Sequence, residues 1–171
     1  MGVPVWWERQ NPRKVIQPGS SPGQCWAFKG TAGNVVIKLS NPVYISDITL
    51  EHIPKSLSPD GNIASAPKHF EVVGNILISN FFSAIIFRIH DFFFKLGLDA
   101  IEDPNPIVLG NFTYDIDNVK NPVQTFKVVK VQKPITYVEL KIVSNYGNPE
   151  YTCLYRFRVH GSIDNEEAKT G

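Results

Sequence analysis

The sequence predicts an all-β chain, an antiparallel β-sandwich, on three observations. Apolar and polar residues alternate with a period of two, and the alternating runs are bounded by Pro, Gly, Asn and Ser segments. The 13 Pro and 12 Gly, set against a single Met, favour turns over long helices. No regular helical spacing lies between the runs, which argues against βαβ units.

In chain order, the first β-like runs are Asn34 to Leu39 and Tyr44 to His52, separated by Ser-Asn-Pro after an SPGQ turn at 21–24. The polar KSLSPDGN segment leads to His69 to Val73. After KNP comes Gln124 to Val131. Val138, Leu140 and Ile142 then take one face and Tyr137, Glu139 and Lys141 the other, the pattern of a strand half buried on a core. The last run is Thr152 to His160, with Cys153, Tyr155, Phe157 and Val159 expected on one side and Leu154, Arg156, Arg158 and His160 on the other.

One stretch breaks this pattern. Asn75 to Leu98 contains Phe81, Phe82, Phe87, Phe92, Phe93 and Phe94, more than half of the 11 Phe in the chain. Its uncharged run stops at Arg88, too short for a membrane span of about 20 apolar residues, so it reads as a hydrophobic helical insertion packed on the sandwich.

At 171 residues the chain is long enough for one core. With 17 Lys+Arg against 16 Asp+Glu, net +1, it has no charge surplus to supply affinity for a phosphate backbone, which speaks against nucleic acid as a partner. The N-terminus lacks the basic start, apolar run and cleavage site of a secretory signal, so a luminal role implies that these residues are part of a longer exported chain.

No P-loop, GxGxxG, GxSxG, HExxH or EF-hand loop occurs. His52, His69, His90 and His160 are never spaced i, i+4 with another ligand, so no catalytic metal is expected. Cys25 and Cys153 belong to no CxxC pair; they are either two buried thiols or one bridge closing a long loop. A nucleophile paired with His52 or His160 requires Cys153 to be free, and nothing local marks either cysteine as activated.

A binding role fits the polar residues better. His52 and Lys55 flank a Pro in LEHIPK, Ser65 precedes a Pro-containing turn, and Tyr151 and Tyr155 bracket Cys153. Hydroxyls, an imidazole and Arg156 gathered at one end of a sandwich suit a carboxylate or a sugar. The plain alternative is that a His or Ser at a strand end satisfies a neighbouring backbone group.

Two long segments carry a resemblance. PGQCWAFKGTAGNVVIKLSNPVYISDITLEHIPKSLSPDGNIASAPKHFEVVG, and the region from LGNFTYDIDNVKNPVQTFKVV to VELKIVSNYGNPEYTCLYRFRVHG, closely resemble the SUN domain of nuclear-envelope proteins, with VPVWWERQNPRKVIQP extending the match. On this basis 1–163 form a SUN domain with the Phe-rich insertion at 75–98, followed by a polar tail at 164–171. The resemblance implies a galactose-binding-like β-sandwich without enzymatic activity. It implies a homotrimer on a coiled-coil stalk in the perinuclear space, anchored in the inner nuclear membrane through regions outside this chain. The implied partner is the luminal C-terminal tail of a KASH protein, the pair forming the LINC bridge to the cytoskeleton.

By the same resemblance His52, Ser65, Tyr151 and Tyr155 receive the tail's terminal carboxylate, and Cys25 and Cys153 form a disulfide. The loop from Gln17 to Gln24 matches a monovalent-cation loop, and no other cofactor is implied. The spelling is most similar to the shorter, germ-cell members, which implies a role in shaping the spermatid nucleus. Four departures stand out. The lid hairpin and its cysteine lie upstream of the match, so weak or no peptide binding is expected of the 171 residues alone, and the stalk is absent too. Tyr146 and Asn148 replace the usual Trp and His in SNYGNP, and the Phe-rich insertion replaces a short polar hairpin. The rival reading is a carbohydrate-binding sandwich, which requires an exposed aromatic platform; Trp26, beside Cys25, is expected in the core instead.

Overall fold

Among the described residues, eight strands follow a 3-10 turn at Pro12–Ile16: β1 (Trp26–Lys29), β2 (Gly33–Glu51), β3 (His69–Asn75), β4 (Ile107–Thr113), β5 (Val123–Lys127), β6 (Ile135–Ile142), β7 (Tyr151–Leu154) and β8 (Arg156–Ser162). They are seen in a computed structural model that describes residues 11–19, 21–76, 106–118 and 121–163. The Phe-rich insertion, expected to be helical, lies outside the described residues from 77 onward, as do His90, the first two tryptophans and the polar tail. Its two flanking strands are antiparallel neighbours, with Gly74 paired to Ile107.

The 19-residue β2 organises the architecture. Its first part pairs with β6, which leads outward through β3 to β4. Its last part lies between β5 and β8, with Asp47 to Glu51 paired on both sides. One strand thus contributes to both layers of an antiparallel sandwich, and β1 and β7 form a separate pair. Two strands expected from the sequence, Asn34 to Leu39 and Tyr44 to His52, are therefore a single strand ending at Glu51. The Ser-Asn-Pro segment is a register irregularity between Lys38 and Val43 rather than a turn, and a ladder interrupted there tolerates the missing N–H of Pro42.

The run from Thr152 to His160 is, conversely, two strands. β7 pairs with β1 and β8 with β2, and Tyr155 between them resets the alternation. Leu154 consequently sits fully buried in the main core beside Phe157, not on the face with the arginines. Cys153 and Tyr155 join a second cluster with Cys25, Ala27, Ile53 and Ile63. The main core fills the space between the layers with Ile48 and Leu50 of β2, Phe70 and Val72 of β3, Val138 and Leu140 of β6, and Leu109 of β4. β5 is shorter than the expected run to Val131. Val128 N–H still donates to Ser46 O, but Val129 N–H donates to Leu109 O, so the chain has crossed toward β4.

Candidate functional site

The second cluster lies at the end of β2, where several loops meet. His52 follows the last residue of β2 and is 4% exposed. Its backbone N–H donates to Pro122 O, 3.2 Å away. A carbonyl only accepts, so the 2.9 Å contact of His52 Nδ1 with Ile53 O places the ring hydrogen on Nδ1. Nε2 is buried without a hydrogen-bond partner among the described residues. The ring of Tyr155 meets the imidazole edge-on at 4.8 Å between centroids, and Tyr114 lies at 6.3 Å. Burial, partly opposed by the bond to Ile53, lowers the His52 pKa to about 4, so the ring is neutral near pH 7.

Tyr155 is held from the loop before β1: its hydroxyl accepts from Gly23 N–H at 3.3 Å. Burial raises its pKa above that of an ordinary phenol. The Cys25–Cys153 disulfide fixes the same loop to β7. Cys153 is therefore not a free nucleophile, which removes the thiol-enzyme reading. Ser65 is half-buried, and its carbonyl accepts from Cys153 N–H at 2.9 Å. Tyr151 opens β7 opposite Lys29 of β1 and packs against the disulfide cluster. His52 and Tyr155 are thus in direct contact, with Ser65 tied to β7, which Tyr151 opens and Tyr155 follows.

The loop after β6 supports this arrangement. Asn145 Nδ2 donates to Asn148 O, Tyr151 O and Thr152 Oγ1, while Asn148 Oδ1 accepts from Tyr151 N–H at 3.2 Å. Tyr146 donates its hydroxyl to Tyr114 O at 2.5 Å, and the Tyr114 hydroxyl donates to Pro122 O, the carbonyl that also receives His52 N–H. Both departures in SNYGNP therefore contact residues around the site. Tyr114 escaped the sequence reading. It follows β4 in an FTYD string with no distinguishing pattern, and only the fold brings it to His52.

A second feature also went unread. Glu51, adjacent to His52, is 6% exposed, with Arg158 Nη2 at 2.6 Å and Arg156 Nη1 at 3.6 Å from its Oε1. The pair is an ion contact not aligned as a hydrogen bond. Arg156 is thereby engaged with Glu51.

Gln17 and Gln24 line a cavity of about 120 Å³ together with Lys14, Pro18, Gly19 and Ser21. Its side-chain oxygens are neutral, without a carboxylate, and Lys14 brings the one charged side chain of this lining. No cluster of three or more His, Cys, Asp or Glu capable of holding a metal occurs among the described residues. His160 Nε2 contacts Thr49 Oγ1 at 2.8 Å and His69 Nδ1 contacts Thr113 Oγ1 at 3.0 Å, so each ring has a threonine partner that is not a member of the disulfide cluster.

The layers and the strand order define a β-sandwich of the galactose-binding-like kind. It is similar to the family 32 carbohydrate-binding module from Streptococcus pneumoniae EndoD, with a TM-score of 0.59 over 90% of this chain and 86% of that one, at 12% identity. A putative chitobiase fragment from Bacteroides thetaiotaomicron gives 0.58, again at 12% identity, over 92% and 78% of the two chains. At such identity the likeness extends to the fold alone.

Residues 5–77 and 93–163 match the family described as Sad1 / UNC-like C-terminal, and the chain belongs to this SUN-domain family. It is 45% identical over 162 residues to SUN domain-containing protein 1 of Homo sapiens, covering 94% of this chain and 18% of that protein. SUN domain-containing protein 2 of Mus musculus is 41% identical over 162 residues, covering 94% and 19%. Klaroid protein of Drosophila melanogaster is 39% identical over 160 residues, covering 94% and 14%. The chain thus spans less than a fifth of the length of these relatives.

Proposed function

We propose that this chain is a non-enzymatic tethering module that receives the luminal C-terminal tail of a KASH protein in the perinuclear space. The tail's terminal carboxylate lies among His52, Ser65, Tyr151 and Tyr155, and the complex links the nuclear envelope to the cytoskeleton. The full-length protein is anchored in the inner nuclear membrane and trimerises through a coiled-coil stalk, with a lid hairpin clamping the tail as an added strand. The observation that carries this reading is the meeting of His52, from the end of β2, with Tyr155, from the junction of β7 and β8, more than a hundred residues on, at a 4.8 Å ring contact. A monovalent cation held at Gln17 and Gln24 belongs to the same proposal. That loop reaches the site through Gly23, whose N–H donates to the Tyr155 hydroxyl.

The carbohydrate reading draws only on the fold. Trp26, the tryptophan among the described residues, packs on Phe28 at 5.0 Å and against the main core, so it offers no sugar platform.

The test measures binding of a labelled KASH tail peptide to the full-length protein by fluorescence polarisation. Amidating the peptide's terminal carboxylate is expected to abolish binding. His52→Ala is expected to weaken it by about 1–3 kcal/mol, the range for leaving a buried polar partner unpaired. Equal affinity for the acid and amide peptides overturns the site assignment.

A further inference from the structure

The orientation of His52 fixes how it meets an anion. Nδ1 keeps its hydrogen on Ile53 O, 2.9 Å away, so the neutral ring can present only a lone pair at Nε2. That atom is buried, and no described residue donates to it. A carboxylate is also lone-pair-only, and two acceptors facing each other without a hydrogen between them repel. A buried acceptor left unpaired is itself costly, and Nε2 is the one ring nitrogen still open to an incoming group.

We propose, resting on the docking reading above, that the peptide's terminal carboxylate binds together with a proton, so that His52 receives it as an imidazolium with Nε2–H donating to the carboxylate. The proton comes from solvent and occupies the Nε2 lone pair, while Nδ1–H stays on Ile53 O. Binding one tail therefore takes up one proton.

The surroundings leave this role to His52. The packed phenols, Tyr155 and Tyr114, are both pushed up by burial and stay neutral through the physiological range. Glu51, preceding His52 on β2, is engaged with Arg158 and Arg156, the latter following Tyr155. On the segment after Tyr114, Asp117 pairs with Lys55 at 2.8 Å, and Asp115 Oδ1 accepts from Asp117 N–H. None of these charges forms a hydrogen bond or ion pair with His52 among the described residues. Burial then sets the free ring's pKa, with the Ile53 bond as the opposing cause. An arriving carboxylate adds an opposite charge in a dry site, the strongest way to restore a proton to it.

The consequence is a pH-dependent affinity. Between the depressed pKa of the free ring and a raised one in the complex, affinity falls about tenfold for each pH unit, or roughly 100-fold from pH 6 to pH 8. The peptide carboxylate titrates near 3.5, outside this window, and contributes no slope.

The measurement is isothermal calorimetry of the acid tail peptide into the full-length protein, in phosphate and in Tris at pH 7, whose ionisation heats differ. Uptake of one proton per peptide, with the roughly 100-fold affinity change, is expected. His52→Gln keeps a donor but cannot titrate, and is expected to bind with neither proton uptake nor slope. Ring-nitrogen NMR supplies a readout independent of the variant: Nδ1–H only in the free protein at pH 7, both nitrogens protonated in the complex. Tight binding of the acid peptide with no proton uptake and a flat profile overturns this inference while leaving the docking reading in place. A slope that survives His52→Gln overturns the assignment to His52. Failure of either peptide to bind, or equal binding of acid and amide, overturns the docking reading and this inference with it.

Discussion

Because folding buries His52 to 4% exposure, its imidazole is a weaker base in the native chain than in the unfolded one, about 4 against 6.5. Between these values the unfolded chain binds more protons, so stability rises with pH across that window and is lost as pH falls from 6.5 toward 4. A shift of this size corresponds to about 3 kcal/mol, a contribution present above pH 6.5 and absent below pH 4. Urea unfolding of the 171-residue chain between pH 7 and pH 4 is expected to show this acid-side loss, and His52→Leu, which cannot protonate, is expected to flatten it. The acid slope would survive the substitution unchanged if other groups set it. The same burial explains why residue type alone could only nominate His52. Nδ1 does satisfy a neighbouring backbone carbonyl, as the plain reading of a strand-end histidine holds, and the unpartnered Nε2 is visible only once Tyr155 and Tyr114 surround it.

At the scale of the elements, β6 was the most legible strand. The alternation of Val138, Leu140 and Ile142 survives as buried positions because β3 stays in regular register along β6 and β2 does so opposite Tyr137 to Ile142, before its irregularity; on the other face Glu139 is buried as well, accepting from Asn34 Nδ2. β1 and β4 went unread: Trp26–Lys29 is only four residues long, and Ile107–Thr113 opens on three consecutive apolar residues, without alternation, before Gly110. Where β2 meets β8, the register shifts between Ile45 and Asp47, opposite Gly161. A Cβ on Gly161 would lie 2.1 Å from Tyr44 O and 2.9 Å from Ile45 Cα, both backbone atoms that cannot swing aside. Gly161→Ala is therefore expected to destabilise the chain by about 1–3 kcal/mol, the range for overpacking a closely fitted site. Chemical denaturation would check this, with the exposed Ser46→Ala on the same irregularity as the control. Equal unfolding midpoints for the two variants would mean that the two strands separate freely at this end.

Across the whole molecule, the site depends on segments that the chain order keeps apart. β2 delivers His52, β7 and β8 deliver Tyr151 and Tyr155, and the loop at 17–24 closes over Tyr155 through Gly23. Alternation along a strand cannot foretell such meetings, because they follow from which strands pair. The family resemblance supplied the residue set, and the pairings supply its contacts. The Cys25–Cys153 disulfide, 128 residues apart in sequence, is the covalent link between the loop and β7. Cross-linking so long a loop removes much freedom from the unfolded chain, and losing a native disulfide typically costs about 2–5 kcal/mol. The paired variant Cys25→Ala, Cys153→Ala is expected to unfold at lower urea by that amount. Because, among the described residues, β1 and β7 pair only with each other, the loss should also be local. Hydrogen exchange is expected to accelerate first at the amides of Trp26–Lys29 and Tyr151–Leu154, and at Gly23, while β3 and β6 in the main core stay protected. Uniform acceleration across all strands would show instead that the bridge stabilises the sandwich as one unit and is not the local clamp that holds Tyr155 to its loop.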